Sequence, residues 1–177
     1  MTDDEHTDQA HRDRVNDLLN HGANLLERGQ GQEAIAHLEQ ARHLDPDNVA
    51  VLINLGGAYI LTGRHKDAIA PLEAARDREP QNAMIWTNLG AAYLGNPILA
   101  SADAQMQAIR AFERAIDLNP TSPNVHYNLG LIFVDRGDQD LAVAAFRAAL
   151  QVNPHDRDAR YWLKKLGAES GDHEQEV

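Results

Sequence analysis

The sequence predicts an all-α fold of stacked antiparallel helix pairs, on three observations. Gly22, Gly56, Gly90 and Gly130 recur at intervals of 34, 34 and 40 residues; Ala34, Ala68, Ala108 and Ala142, and likewise Pro46, Pro80, Pro120 and Pro154, recur at 34, 40 and 34. Inside a unit the period is helical. Leu52, Leu55, Gly56 and Tyr59 fall at i, i+3, i+4 and i+7 on one face; after the turn Thr62-Gly63-Arg64, Ala68, Leu72 and Ala75 line a second face. Strand-type alternation is absent, and aromatics at 5% leave a core of Ala, Leu and Ile, which suits helix-on-helix packing.

The elements follow in order. Residues 1–12 are polar and acidic and read as a disordered arm. Four helix pairs occupy about 13–46, 47–80, 81–120 and 121–154, each second helix stopping before an Asp/Glu/Asn-Pro dipeptide. The third pair carries six extra residues between Gly90 and Ala108. There Gly95-Asn96-Pro97 breaks the first helix, and Ser101 can cap a longer second helix beginning near Ala102. Ile98 and Leu99 are expected to tuck onto their own repeat, with a partner contact as the alternative. Residues 155–166 read as a capping helix with an apolar face on the last pair and a basic face, Arg157, Arg160, Lys164 and Lys165, in water. Residues 167–177 read as a disordered acidic tail.

The recurring small residues have a steric reason. Gly on one helix and Ala on the other let two backbones approach closely, and larger neighbours such as Tyr93 and Phe112 fill the remaining space. Gly inside a helix costs about 0.5–1 kcal/mol relative to Ala, so its return at one register argues for packing.

These positions resemble the tetratricopeptide repeat. The third unit carries Trp86, Leu89-Gly90, Tyr93, Ala108, Phe112, Ala115 and Pro120; the other units carry the corresponding residues, and the match covers about residues 13–154. The departures are His21 where Leu is usual, His126 where a large apolar residue is usual, and the insertion. The resemblance implies a right-handed superhelical solenoid of about nine helices, whose first helices line a concave, ligand-binding surface.

Chemistry is hard to find in the chain. The 177 residues carry 27 acidic against 16 basic side chains, a net charge of −11, which disfavours nucleic acid as a partner. With no cysteine, thiol catalysis, disulfides and cysteine-ligated metals are excluded. No apolar run approaches membrane-spanning length and the N-terminus lacks a basic-then-apolar signal, so the expected location is cytoplasmic, with no membrane partner. Gly29-Gln30-Gly31 imitates a dinucleotide fingerprint but follows a helix rather than a strand. No pair among the nine histidines has metal-site spacing with a carboxylate, and His21 and His126 are expected in the core or the groove. No cofactor and no enzymatic activity are expected.

The informative residues are on the first helices. By the resemblance, the residue two before each Gly points into the concave face, and here it is Asn20, Asn54, Asn88 and Asn128. A carboxamide offers both donors and acceptors, the combination that a peptide main chain needs. The series resembles the asparagine ladder in the repeat domain of O-GlcNAc transferase; contacts between neighbouring repeats are the competing use. Around it lie Leu19, Ile53, Thr87, Tyr127, Met84 and Leu131, with no Lys or Arg, which disfavours the C-terminal carboxylate that chaperone-binding members of the family hold. The expected function is a protein-interaction scaffold whose groove binds an extended segment or an amphipathic helix of a partner. The alternatives are a self-assembling homo-oligomer and a non-catalytic subunit that presents substrate to an enzyme.

Overall fold

The structure, a computed structural model, describes residues 3–97, 99–122 and 124–168. Among the described residues there are nine helices and no strand: α1 Asp3–Glu27, α2 Gly31–Leu44, α3 Val49–Leu61, α4 His65–Arg78, α5 Ala83–Leu94, α6 Ala102–Leu118, α7 Val125–Arg136, α8 Gln139–Val152 and α9 Arg157–Lys165. Each odd-numbered helix from α1 to α7 packs on the even-numbered helix that follows it, and each from α3 to α9 on the one before it.

Within a pair, the glycine decides how close the helices come. A Cβ added at Gly22 would lie 2.6 Å from the Leu38 side chain, one at Gly130 2.5 Å from the Phe146 ring, and at Gly56 and Gly90 it would meet Leu72 and Phe112 closer still. Leu38, Leu72, Phe112 and Phe146 are fully buried and occupy the space that the missing side chain leaves.

Between pairs, the contact is made by three places on each first helix. Val51, Leu55 and Ala58 on α3, Ile85, Leu89 and Ala92 on α5, and Val125, Leu129 and Ile132 on α7 are all buried. Val51 joins the cluster of Val15, Leu18 and Ala41, and the α7 trio joins that of Ile109, Phe112 and Ala115. On α1 the same places hold Asp17, His21 and Asn24, all exposed. No described helix covers that edge, so a polar surface there leaves nothing apolar in water. His21 is therefore neither core nor groove; its ring meets His37 edge-on, with centroids 4.3 Å apart. On α9, Ala159 and Leu163 are buried at the corresponding places, while Arg157, Arg160, Lys164 and Lys165 are exposed.

The junctions between pairs explain the Pro series. The residue before Pro is held extended, at φ −131° for Asp45 and −130° for Asn153, which stops the helix. At three of the four junctions the next helix starts from a side-chain cap: Asn48 accepts from Val51 N at 3.2 Å, Asn82 from Met84 N at 3.1 Å, and Asp156 from Asp158 N and Ala159 N, both at 3.0 Å; Asn124, before α7, is left-handed at φ 60° and makes no such bond. Across two of the junctions an aromatic N–H closes the turn. Trp86 Nε1 donates to the Pro80 carbonyl at 2.8 Å, and His126 Nε2, as the N–H tautomer, to that of Pro120 at 3.2 Å. His126 thus does by hydrogen bond what Trp86 does at the preceding junction, and it is half-buried at a turn rather than in the core or groove. Arg160 reaches the Pro154 carbonyl in the same way.

A second inter-pair tie has no counterpart in the expectations. Tyr59 Oη donates to Glu39 at 2.5 Å and Tyr93 Oη to Glu73 at 2.8 Å, each from a first helix back to the second helix before it. Burial and the carboxylate acceptor push each phenol up to about 12. In the fourth pair Phe133 stands at this register and has no hydroxyl; there Gln105 Nε2 donates instead to Asp135 at 2.6 Å.

Two further expectations need correction. The acidic segment 1–12 is helical from Asp3, because it continues α1 without a break, and His11 Nε2 lies 3.1 Å from the Leu44 carbonyl. Leu99 does not tuck onto its repeat: it is 80% exposed, because α5 ends at Leu94 and α6 begins only at Ala102. Ser101 caps α6 by accepting from Ala104 N at 3.2 Å. Ile98 and the tail from residue 169 lie outside the described residues, while Gly167 and Ala168 close the end of α9 through bonds to the Lys164 and Leu163 carbonyls.

Candidate functional site

Stacking aligns the first helices, so one register on each of them faces the same side. Asn20, Asn54, Asn88 and Asn128 share that register, and on α9 it is taken by Trp162, two residues before Lys164. The amides are not equivalent. Asn20 is exposed, whereas Asn54, Asn88 and Asn128 are half-buried. Asn54 Nδ2 donates to the Ala50 carbonyl of its own helix at 2.8 Å. Among the described residues the side chains of Asn88 and Asn128 make no hydrogen bond, and none of the four amides bonds to a neighbouring repeat.

A hollow of about 620 Å³ lies over α5 and α7 and is closed at one end by the α8–α9 junction. It brings together Thr87, Asn88, Tyr127 and Asn128, over a floor that includes Ala91 and Leu94. Thr87 Oγ1 is turned onto the Ala83 carbonyl at 3.0 Å and so presents its methyl group. Asn20, Asn54, Leu19, Ile53, Met84 and Leu131 are outside this hollow. Leu19 and Ile53 are half-buried against the apolar core, and Leu131 packs against the cluster around Phe146. Met84 stands 59% exposed.

The far wall was not legible in the first helices of the repeats. Asn153, Asp156 and Asp158 supply it from the junction into α9. Tyr127 stands against them. Its phenol is raised first by burial and then by the charges of Asp158 and Asp156, against the lowering effect of the Trp162 indole N–H. The Tyr127 ring lies 5.8 Å from that of Phe146, which stacks on Trp162 at 5.9 Å. The signal that could have found this wall was Trp162, an aromatic at the asparagine register.

A second hollow, of about 780 Å³, opens between the α3–α4 turn and the insertion, lined by Arg64, Lys66, Tyr93, Leu99 and Ser101. His65, Leu94 and Gly95 border both hollows. Among the described residues no group of His, Asp and Glu could hold a metal ion, and no helix is long and apolar enough to cross a membrane.

A solenoid of helix pairs with glycine packed on a buried Leu or Phe, proline-terminated second helices and an inner face of first helices defines a class of helical repeat protein. The chain belongs to the tetratricopeptide-repeat family, whose models match residues 25–95, 106–156 and 127–177. No curated protein sequence matches it. Solved structures similar to it include MamA from residue 41 onward of Desulfovibrio magneticus RS-1, with a TM-score of 0.67 and 24% identity over 81% of this chain and 77% of that one. A thermophilic tetratricopeptide-repeat protein of Thermus thermophilus gives a TM-score of 0.71 and 22% identity over 86% of this chain and 80% of that one. A chain of the APC/C hetero-tetramer Cut9–Hcn1 gives a TM-score of 0.73 and 22% identity over 84% of this chain and 29% of that one.

Proposed function

We propose that the chain is a non-enzymatic protein-binding module that holds a segment of a partner protein in the hollow over α5 and α7. The observation that carries this reading is the pair Asn88 and Asn128: half-buried carboxamides bordering an apolar floor, with no hydrogen bond among the described residues. Their amide atoms are open to solvent and not engaged by the chain itself, so they are free to pair with a ligand main chain, each residue of which brings one N–H and one C=O. Both amides border one hollow, and an extended chain laid in it advances about 3.3–3.6 Å per residue, so one segment a few residues long reaches both. Self-assembly through the outer face of the first repeat draws no support from that face, which carries Asp17, His21 and Asn24.

The test uses a partner recovered by affinity capture with the whole chain and identified by mass spectrometry. Its binding is then titrated against wild type and an Asn88→Ala/Asn128→Ala variant. A loss of about tenfold or more in affinity is expected, as for two hydrogen bonds. Equal affinity would remove the groove from the reading.

A further inference from the structure

We propose that the occupant of this hollow is an extended peptide carrying a lysine or arginine, whose cation is set against Asp156 and Asp158. The inference rests on the protein-binding reading and deepens it by naming the chemistry of the ligand.

The charge of the hollow is one-sided. The carboxylates of its lining are Asp156 and Asp158, and neither Lys nor Arg lines it. Arg157 lies between the two carboxylates in the chain and is exposed, and it does not line the hollow. Arg160 is directed at the Pro154 carbonyl, and neither carboxylate has an ion pair among the described residues. Asp156 uses Oδ1 to cap α9, which leaves Oδ2 for a ligand, and Asp158 is exposed. Lys165 lies on the same helix seven residues beyond Asp158, about 10 Å along the axis, with its ammonium 4.6 Å from the centre of the Trp162 ring. It does not line the hollow.

The remaining surfaces suit the stem of such a side chain. Lysine and arginine lay their methylenes on apolar surface and extend the charge to a polar edge. Tyr127 supplies an aromatic wall beside the two carboxylates, and Ala91 and Leu94 supply an apolar floor. The hollow runs from Asn88 on α5 past Asn128 to Asp158 on α9, and an octapeptide, extended at about 3.3–3.6 Å per residue, is of a length to lie along it. The main chain pairs with Asn88 and Asn128 on the way, and the cation arrives at the α9 end.

The experiment selects a displayed library of random octapeptides on the full chain, on Asp156→Asn/Asp158→Asn and on Asn88→Ala/Asn128→Ala. Asparagine caps a helix as well as aspartate does, so the first variant removes charge and keeps the start of α9. The expected winners on wild type carry Lys or Arg at one fixed position. The best of them, synthesised, binds about 5- to 10-fold more weakly to the Asp→Asn variant, and added salt weakens it on wild type more than on that variant. Replacing its fixed cation by norleucine gives a similar loss on wild type, a measurement that needs no altered protein. Winners that lack a cation or are acidic, or that bind the Asp→Asn variant as tightly as wild type, overturn the charge claim. If those same winners are lost on the Asn→Ala variant, the protein-binding groove stands without it. If no peptide is enriched, or the Asn→Ala variant binds every winner unchanged, both readings fall.

Discussion

At Gly90 one carbon atom decides a helix crossing. The Phe112 ring is fully buried and fills the place where a Cβ would stand, and a ring in a packed core has nowhere to retreat. Gly90→Ala should gain about 0.5–1 kcal/mol in helix propensity and lose more to overpacking, for a net destabilisation of about 1–2 kcal/mol in urea unfolding. Gly57, on the open side of α3 with nothing near its missing Cβ, is the control, and Gly57→Ala should stabilise. Tyr59 and Tyr93 give a second residue-scale prediction. Their phenols ionise near 12 in the fold against an ordinary value of about 10. The raised folded value means that the stabilisation is complete below about pH 10 and is lost as pH rises from there to about 12. Urea midpoints measured between pH 9 and 12 should fall over that interval. In the Tyr59→Phe/Tyr93→Phe variant they should start lower, by about 1 kcal/mol per bond, and fall less steeply.

At the scale of the element, the helices were legible because their signals are local. Helical period, proline stops and caps such as Asn48 and Ser101 act within a few residues. What was not legible depends on partners distant in the chain. The Tyr59–Glu39 and Tyr93–Glu73 ties each join residues 20 apart on different helix pairs, and no local pattern announces them. His126 looked like a departure because sequence compares residue types, whereas the junction needs only an N–H directed at the Pro120 carbonyl. His126→Trp should therefore leave stability unchanged or raise it, and His126→Phe should lower it by about 1 kcal/mol, both read from thermal unfolding at pH 8. The cap α9 was legible by its apolar face. Removing residues 155–177 should expose Phe146 and cost about 3 kcal/mol or more, measured as a lower urea midpoint with increased binding of a hydrophobic dye.

For the molecule as a whole, the asparagine series was legible as a register but not as a site. Sequence gives four equal amides; folding makes them unequal. Asn54 bonds to its own helix, Asn20 is left in solvent, and Asn88 and Asn128 alone border the hollow. The acidic wall was missed because Asp156 and Asp158 belong to the cap rather than to a repeat, and only the stacking of α9 on α8 brings them beside Tyr127.

The substitution of Phe133 for tyrosine has its effect at this scale. The first two junctions are each fastened by a phenol and a carboxylate, the third by the Gln105 carboxamide and the Asp135 carboxylate between α6 and α7. That third junction is the seam over which Asn88 and Asn128 face the same hollow. If a partner strand occupies the hollow, it bridges that seam as a splint, and amide exchange should slow in α6 and α7 before it does so in α1 and α2.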